Sequence, residues 1–486
     1  MHLAGPNLLV IFTLLIGVMN LLTPFITRND SVVRTNFLLT IGLSFLLNVA
    51  MLDYVFLKGI VAKITILRID QYSIALSLES VGMIFLNMLA VLWIIALLYT
   101  IKFIKLNKFV NSSRFLFFIN ASIMSGFLIA LSDNLLTMFI AYEILTLMTI
   151  PLIIHNHNST TTKGLLKYLK ILMISALMLF LPAIIIIYSH AGHGNFIKDG
   201  YIYNYFNNWQ SILLLLLFIF GIAKSAIFPV HGWLPSAMVA SYPVSALLHA
   251  VVVVKAGLFC TYKIFVYVFG LVYLNSIFKD FNWLVILPII TILYSGFYAL
   301  KAKEIKMILA YSTIAQLSIA LMSLFLLSYK GFIAAILHMI SHSFSKICLF
   351  YCAGNIYSIN GATKINDYYA VAKHLPKTSL ATLIAALSLA GIPPFSGFIS
   401  KLYILLAASE QNNLLVILTI ILSSIMTIIY MGRIIIFLYT KNEIRNNNYS
   451  ESSIHPFMLI SIYFCISAIF LFFFIKEFII KFIGYI

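Results

Sequence analysis

Glu143, Lys224, His249, Lys255, His338, His342, Lys346 and Lys401 all stand inside long apolar stretches of this 486-residue chain. An ionised side chain at the centre of a membrane-spanning helix costs at least about 2.5 kcal/mol, so chance does not keep so many. Amines and carboxylates gain and lose protons, and imidazole both donates and accepts near neutral pH. Burial disfavours the charged form of a lysine, whereas a nearby carboxylate favours it. A lysine whose carboxylate partner moves nearer and farther therefore takes up and releases a proton. Glu143 and Lys224 are the natural pair for this, with Lys255 and Lys401 as later stations.

Each residue also has a plainer reading. Lys346 and Lys401 can snorkel to an interface, while Lys224 and Lys255, apolar on both sides, have less room to do so. Glu143, in Phe139-Ile140-Ala141-Tyr142-Glu143-Ile144-Leu145, has no neighbouring base and needs a partner from another helix. His338 and His342 are four apart with Lys346 four further on, which draws a polar stripe along one helical face. A zinc pair would lack the third ligand of an HExxH-type site, so the stripe is expected to hold no metal and to relay protons. His155 and His157 sit in a loop and are expected only to be solvated. The sequence has no GxGxxG after a strand, no Walker A sequence, no cysteine cluster and no nucleophile elbow, so no cofactor, neither nucleotide nor redox centre, is expected in this chain.

The elements that position these groups follow from composition. The chain is 62% apolar and 9% charged, against roughly a quarter charged in soluble domains. Windows of about 20 apolar residues recur throughout. An all-α membrane protein of about fourteen transmembrane helices is predicted, with spans near 8–27, 37–57, 80–101, 114–132, 134–153, 165–188, 210–229, 244–269, 282–300, 307–328, 331–357, 379–406, 413–437 and 457–484. The segment 58–80 is mixed in character and reads as extended or interfacial, and the longest polar loop is 189–209. The first span has no basic leader or small-residue cleavage site, so it reads as a retained helix. Cys260, Cys348, Cys352 and Cys465 lie in apolar stretches without a CxxC pair and read as small buried side chains.

The net charge of +17 would suggest nucleic acid in a soluble protein, but in short loops between spans it reads as a topology signal, and no nucleic-acid partner is expected. One set of alternate loops holds Arg28, Arg34, Lys102, Lys105, Lys108, Arg114, Lys163, Lys167, Lys301, Lys303, Lys306, Lys364, Lys373, Lys377, Lys441 and Arg445. The other holds only Lys58, Lys63, Arg68, Lys198, Lys279 and Lys330. The first set is predicted to be cytoplasmic, with both termini on the other side of a bacterial inner membrane.

Two spans are interrupted alike. The seventh runs into Phe228-Pro229-Val230-His231-Gly232-Trp233-Leu234-Pro235, and the twelfth contains Gly391-Ile392-Pro393-Pro394-Phe395. Prolines break the helical ladder, and such breaks survive at membrane depth only where protein or a water-filled cavity satisfies the freed groups. Breaks five spans apart fit two inverted five-helix units, although a Gly-Pro break is also a common plain kink. The expected organisation is 1–110 (spans one to three), 111–270 (first repeat), 271–440 (second repeat) and 441–486 (last span).

Several stretches together resemble the antiporter-like membrane subunits shared by respiratory complex I, membrane-bound hydrogenases and Mrp-type multisubunit cation/proton antiporters. They are the Glu143 span, Gly221 to Ala226, His231-Gly232-Trp233-Leu234-Pro235-Ser236-Ala237-Met238, Ser245-Ala246-Leu247-Leu248-His249-Ala250 with Lys255-Ala256-Gly257, Ala310-Tyr311-Ser312, the His338/His342/Lys346 stripe, and Gly391 to Phe398 with Lys401. The resemblance implies that Glu143, Lys224, Lys255 and Lys401 are proton-path residues and that His249 and the stripe belong to a connecting polar axis. It also implies the inverted repeat. Lys401 departs from the complex I type that carries Glu there, and another type continues with a lateral helix beyond the fourteenth span, whereas this sequence stops at Ile486. His249 with Lys255, and the Gly-Ile-Pro-Pro-Phe-Ser-Gly-Phe form, look most like the Mrp D-type subunit. The expected partners are other membrane subunits, H+ and possibly Na+, and the lipid bilayer. A complex I or hydrogenase subunit, and a non-conducting scaffold, are the alternatives.

Overall fold

The computed structural model describes residues 4–26, 31–59, 62–155, 158–440 and 450–483. Arg28, His157, Lys441 and Arg445 lie outside the described residues. The chain is an all-α membrane protein: among the described residues, 12 helices are long and apolar enough to cross a bilayer. Two broken helices stand where the seventh and twelfth spans were expected.

The enclosed helices carry the polar residues. Every residue of the most apolar window of the eighth span, Tyr242–Phe269, is buried, as is 94% of that of the eleventh, Tyr329–Asn360, against 33% for the first and 28% for the second. The eleventh span packs against the tenth (Ile305–Leu324), both halves of the twelfth and the fourteenth (Pro456–Ile483), so its histidine face is walled by protein rather than lipid. Local capping sets the starts. The Asn134 side chain accepts from Thr137 N at 2.8 Å to open the fifth span, Leu135–Ile153, and Ser328 Oγ accepts from Gly331 N at 3.1 Å to open the eleventh.

The twelfth span breaks as expected. Its first half, Pro376–Ala390, ends at Gly391 with φ +85°, a left-handed cap that glycine adopts without strain, and Pro393-Pro394 follow before the second half, Ser396–Glu410. The seventh differs. Its helix, Asn208–Gly221, stops eight residues before Pro229, passes through a 3-10 turn at Ala223–Ser225, and continues only as short turns to Val239. Close packing accounts for the early stop: a Cβ at Gly221 would meet Phe180 N at 2.5 Å, and one at Gly257 of the eighth span would meet Ser225 N at 2.3 Å.

The mixed segment after the second span is a two-stranded antiparallel hairpin, β1 (Lys63–Ile69) and β2 (Tyr72–Ser77), turned at Asp70 with φ +50°. β2 is laced to the loop after the fourth span by Ser77 N to Leu131 O at 2.8 Å and Asp133 N to Ala75 O at 3.0 Å. The long loop near 189–209 joins the same face, with Phe196 N donating to Asp133 O and Ile197 N to Tyr267 O, each at 3.1 Å.

A Cβ at Gly397 would fall 1.7 Å from the Ser388 carbonyl oxygen, so the two halves of the twelfth span meet backbone to backbone. Gly397→Ala should destabilise the protein by about 1–3 kcal/mol through overpacking. Gly432→Ala, with nothing within 4 Å, should not. Thermal unfolding of both in detergent checks this; coincident curves would rule out the close approach.

Candidate functional site

Lys224, Lys255, Lys346, Lys401, His249, His338 and His342 are each at most 4% exposed. None of the lysines snorkels. Lys224 sits in the 3-10 turn that interrupts the seventh span, and its Nζ donates to the Tyr142 carbonyl at 2.5 Å while lying 3.2 Å from the centre of the Tyr142 ring. Glu143 is the next residue, within electrostatic reach of Lys224 but not in an ion pair with it, and both its carboxylate oxygens are buried without a hydrogen-bond partner among the described residues. The expected pair is therefore adjacent and separated in this conformation, with Tyr142 holding the amine.

The eighth and eleventh spans bring the central groups together. Lys255 Nζ lies 2.5 Å from His342 Nδ1. Lys346 Nζ donates to the Leu309 carbonyl at 3.0 Å and also bonds Ser312 Oγ, which explains the Ala310-Tyr311-Ser312 motif. His249 lies in a π-helical turn, Leu247–Val251, against the Phe350 ring, with neither ring nitrogen bonded among the described residues, and within electrostatic reach of Lys346 and Lys306. Lys306 Nζ donates to the Ala240 carbonyl at 2.5 Å beside a cavity of about 860 Å3 that Glu304, Tyr242, His155 and Arg114 also line. His155 thus faces a cavity and stacks on Phe109 rather than standing free in a loop.

From His338 the polar contacts reach the twelfth span. His338 Nδ1 is 3.0 Å from Ser400 Oγ, and the next residue, Lys401, donates to the Leu389 and Ala390 carbonyls at 3.0 and 2.9 Å and to Ser424 Oγ at 3.0 Å. Those carbonyls end the first half of the broken helix, so Lys401 satisfies the groups that Gly391, Pro393 and Pro394 release. Its stem lies where a Cβ on Gly391 would be, 2.7 Å from Cδ, so Gly391 is required twice. Serines missed from sequence line this seam: Ser341 to Ser396 at 2.8 Å and Ser345 to Ser388 at 2.9 Å. Pro229 precedes and Pro235 lies within the short turns after Lys224, where Trp233 Nε1 donates to Ala223 O at 2.8 Å, closing the seventh-span break. Among the described residues no group of three His, Cys, Asp or Glu is placed to hold a metal.

The structure thus forms three clusters: Glu143 with Lys224; Lys255, His342, His249 and Lys346; and His338 with Ser400 and Lys401. His338 and His342 ring centres, 6.4 Å apart, join the last two. Two residues beyond Lys255, Gly257 brings the backbone of the eighth span against that of Lys224 and Ser225. Sequence reasoning also passed over Lys263, eight residues beyond Lys255 in the same span and fully buried. The same signal that flagged Lys255 marks it.

The family described as NADH:quinone oxidoreductase/Mrp antiporter, TM, matches residues 132–427. The chain is 32% identical over 342 residues to an NADH-quinone oxidoreductase subunit L of Buchnera aphidicola, covering 68% of this chain and 54% of that protein. It is 31% identical over 360 residues to a putative antiporter subunit mnhA2 of Staphylococcus aureus, covering 70% and 44%. The chain thus spans about half the length of the curated relatives it matches. Among solved structures, a chain of the Mrp complex from Dietzia sp. superimposes with TM-score 0.83 at 19% identity, covering 99% of this chain and 97% of that one. A chain of an archaeal membrane-bound sulfane sulfur reductase gives 0.81 at 22% identity, covering 99% and 96%. These two likenesses concern the fold.

Lys401→Met leaves two buried carbonyls without a donor and should destabilise the protein by about 1–3 kcal/mol, whereas His249→Phe removes ring nitrogens that bond nothing and should be neutral or stabilising. Thermal unfolding in detergent distinguishes them; a large loss in His249→Phe would mean that the imidazole has a structural partner.

Proposed function

Because the chain belongs to the NADH:quinone oxidoreductase/Mrp antiporter transmembrane family, we propose that it relays protons across the membrane as the D-like subunit of a multisubunit monovalent cation (Na+)/H+ antiporter. The observation that carries the reading is the file of enclosed titratable groups from Glu143 and Lys224 through Lys255, His342 and His338 to Lys401. A scaffold would gain nothing from buried path amines that meet carbonyls, hydroxyls and an imidazole, since each is costly in hydrocarbon.

Each broken span carries one path lysine, Lys224 in the seventh and Lys401 in the twelfth, which supports two inverted five-helix repeats over 111–270 and 271–440. Lys401, at the twelfth-span break, is the station nearest the non-cytoplasmic side in this reading, and the basic-residue count puts both termini on that side. H+, and possibly Na+, are the transported ions, and other membrane subunits the partners. The similarity to subunit L supports a second reading, a proton-pumping subunit of a complex I or a related hydrogenase, in a bacterial inner membrane.

Glu143→Ala and Lys224→Ala should each reduce coupled proton movement in sealed native-membrane vesicles about tenfold or more while the complex stays assembled on a native gel. Wild-type flux in either variant would remove them from the path. Affinity purification from native membrane separates the two readings: several small hydrophobic subunits mark the antiporter, and flavin and iron-sulfur subunits mark complex I.

A further inference from the structure

Lys263 is the buried lysine that the path above leaves unused. It lies on the eighth span, 0% exposed, with Nζ 2.8 Å from Glu79 Oε2, a second bond to the Ser132 carbonyl, and the Phe196 ring centre 4.0 Å away. The residue after Ser132 is Asp133, whose Oδ2 is 2.7 Å from Lys63 Nζ on β1. Side-chain exposure is 0% at Lys263, 15% at Glu79, 11% at Asp133 and 47% at Lys63, so the series runs from a fully buried end to an exposed one. Glu79 is in electrostatic reach of both Asp133 and Lys63.

The series also reaches inward. Cys260, one turn back from Lys263, is within electrostatic reach of Lys263 and of Lys224 alike. The helix that carries both comes against the Lys224 turn at Gly257, where no side chain fits between the two backbones. Lys224 is therefore the path residue from which this series leads away.

We propose that Lys263, Glu79, Asp133 and Lys63 form a second proton branch, running from Lys224 to the face that carries the β-hairpin, with Glu79 as the group that exchanges protons between Lys263 and water. The inference rests on the proton-relay reading of Lys224 and deepens it. A buried Lys–Glu pair is an expensive fastener, because desolvation offsets most of its attraction. The hairpin needs no such fastener, since main-chain bonds from Ser77 and Asp133 already hold it. The pair breaks when a proton passes from Lys263 to Glu79, leaving a neutral amine on the Ser132 carbonyl and a neutral acid whose side chain is 15% exposed. No other co-reactant is involved.

The test uses the whole complex in sealed native-membrane vesicles, with Lys224→Ala as the zero of flux. Glu79→Gln keeps shape and hydrogen bonding but cannot carry a proton, and should lower flux about tenfold, while Glu79→Asp should retain most of it. Lys63→Cys gives a second measurement that does not depend on folding of a buried variant, because all four native cysteines are buried. A membrane-impermeant thiol reagent bearing an ammonium group should restore wild-type flux in Lys63→Cys, and one bearing a sulfonate should suppress it. Wild-type flux in Glu79→Gln, or equal effects of the two reagents, would overturn the branch while leaving the main reading intact. Wild-type flux no higher than that of Lys224→Ala would defeat the main reading and the branch with it.

Discussion

The contact on which this molecule depends is the one between a buried lysine amine and a main-chain carbonyl. Lys224 meets Tyr142 O, Lys346 meets Leu309 O, Lys401 meets Leu389 O and Ala390 O, Lys306 meets Ala240 O and Lys263 meets Ser132 O. A carbonyl accepts from an amine in either protonation state, whereas a carboxylate in contact would favour the charged form and hold the proton in place. Of these five lysines only Lys263 is also in an ion pair. The other four amines are satisfied without being locked, as the proposed relay requires, and Lys263 is released when its proton passes to Glu79.

That requirement explains the architecture around them. Spare carbonyls arise where a helix is interrupted, and at the Gly391 break Lys401 takes those of Leu389 and Ala390, whereas Lys224, itself in the seventh-span break, reaches Tyr142 O on the continuous fifth span. Interrupted backbone must be walled off from lipid, which is why the eighth and eleventh spans are almost wholly buried while the first, second and fourteenth face outward. The small residues serve the same end: Gly257, Gly391 and Gly397 each stand where a Cβ would collide with a neighbouring backbone or with a path lysine.

Much of this was legible in the sequence, for physical reasons that differ by residue. Hydropathy fixed where helices cross, because the bilayer imposes a length on each apolar run. The intramembrane charges were visible for the same reason, and the Gly391-Pro394 break was read correctly because glycine and proline act locally. The seventh-span break was misplaced toward Pro229, since its cause is contact between Gly221 and the distant Phe180, which no local signal records. The separation of Glu143 from Lys224 was invisible for a like reason, as Tyr142 takes the amine through a fold-level approach. The segment holding the hairpin at 63–77 was read as extended or interfacial, but its pairing was not foreseen, because it is supported by the distant loop at Leu131 to Asp133.

Lys255 stands between the two halves of the path, 2.5 Å from His342, and tests the account most directly. Arginine there keeps the positive charge but does not release a proton at physiological pH. Proton flux in sealed native-membrane vesicles bearing Lys255→Arg, with assembly verified, should fall to the level of the Lys224→Ala variant. Flux equal to wild type would mean that a fixed charge suffices at this position, and would contradict a relay through the lysines.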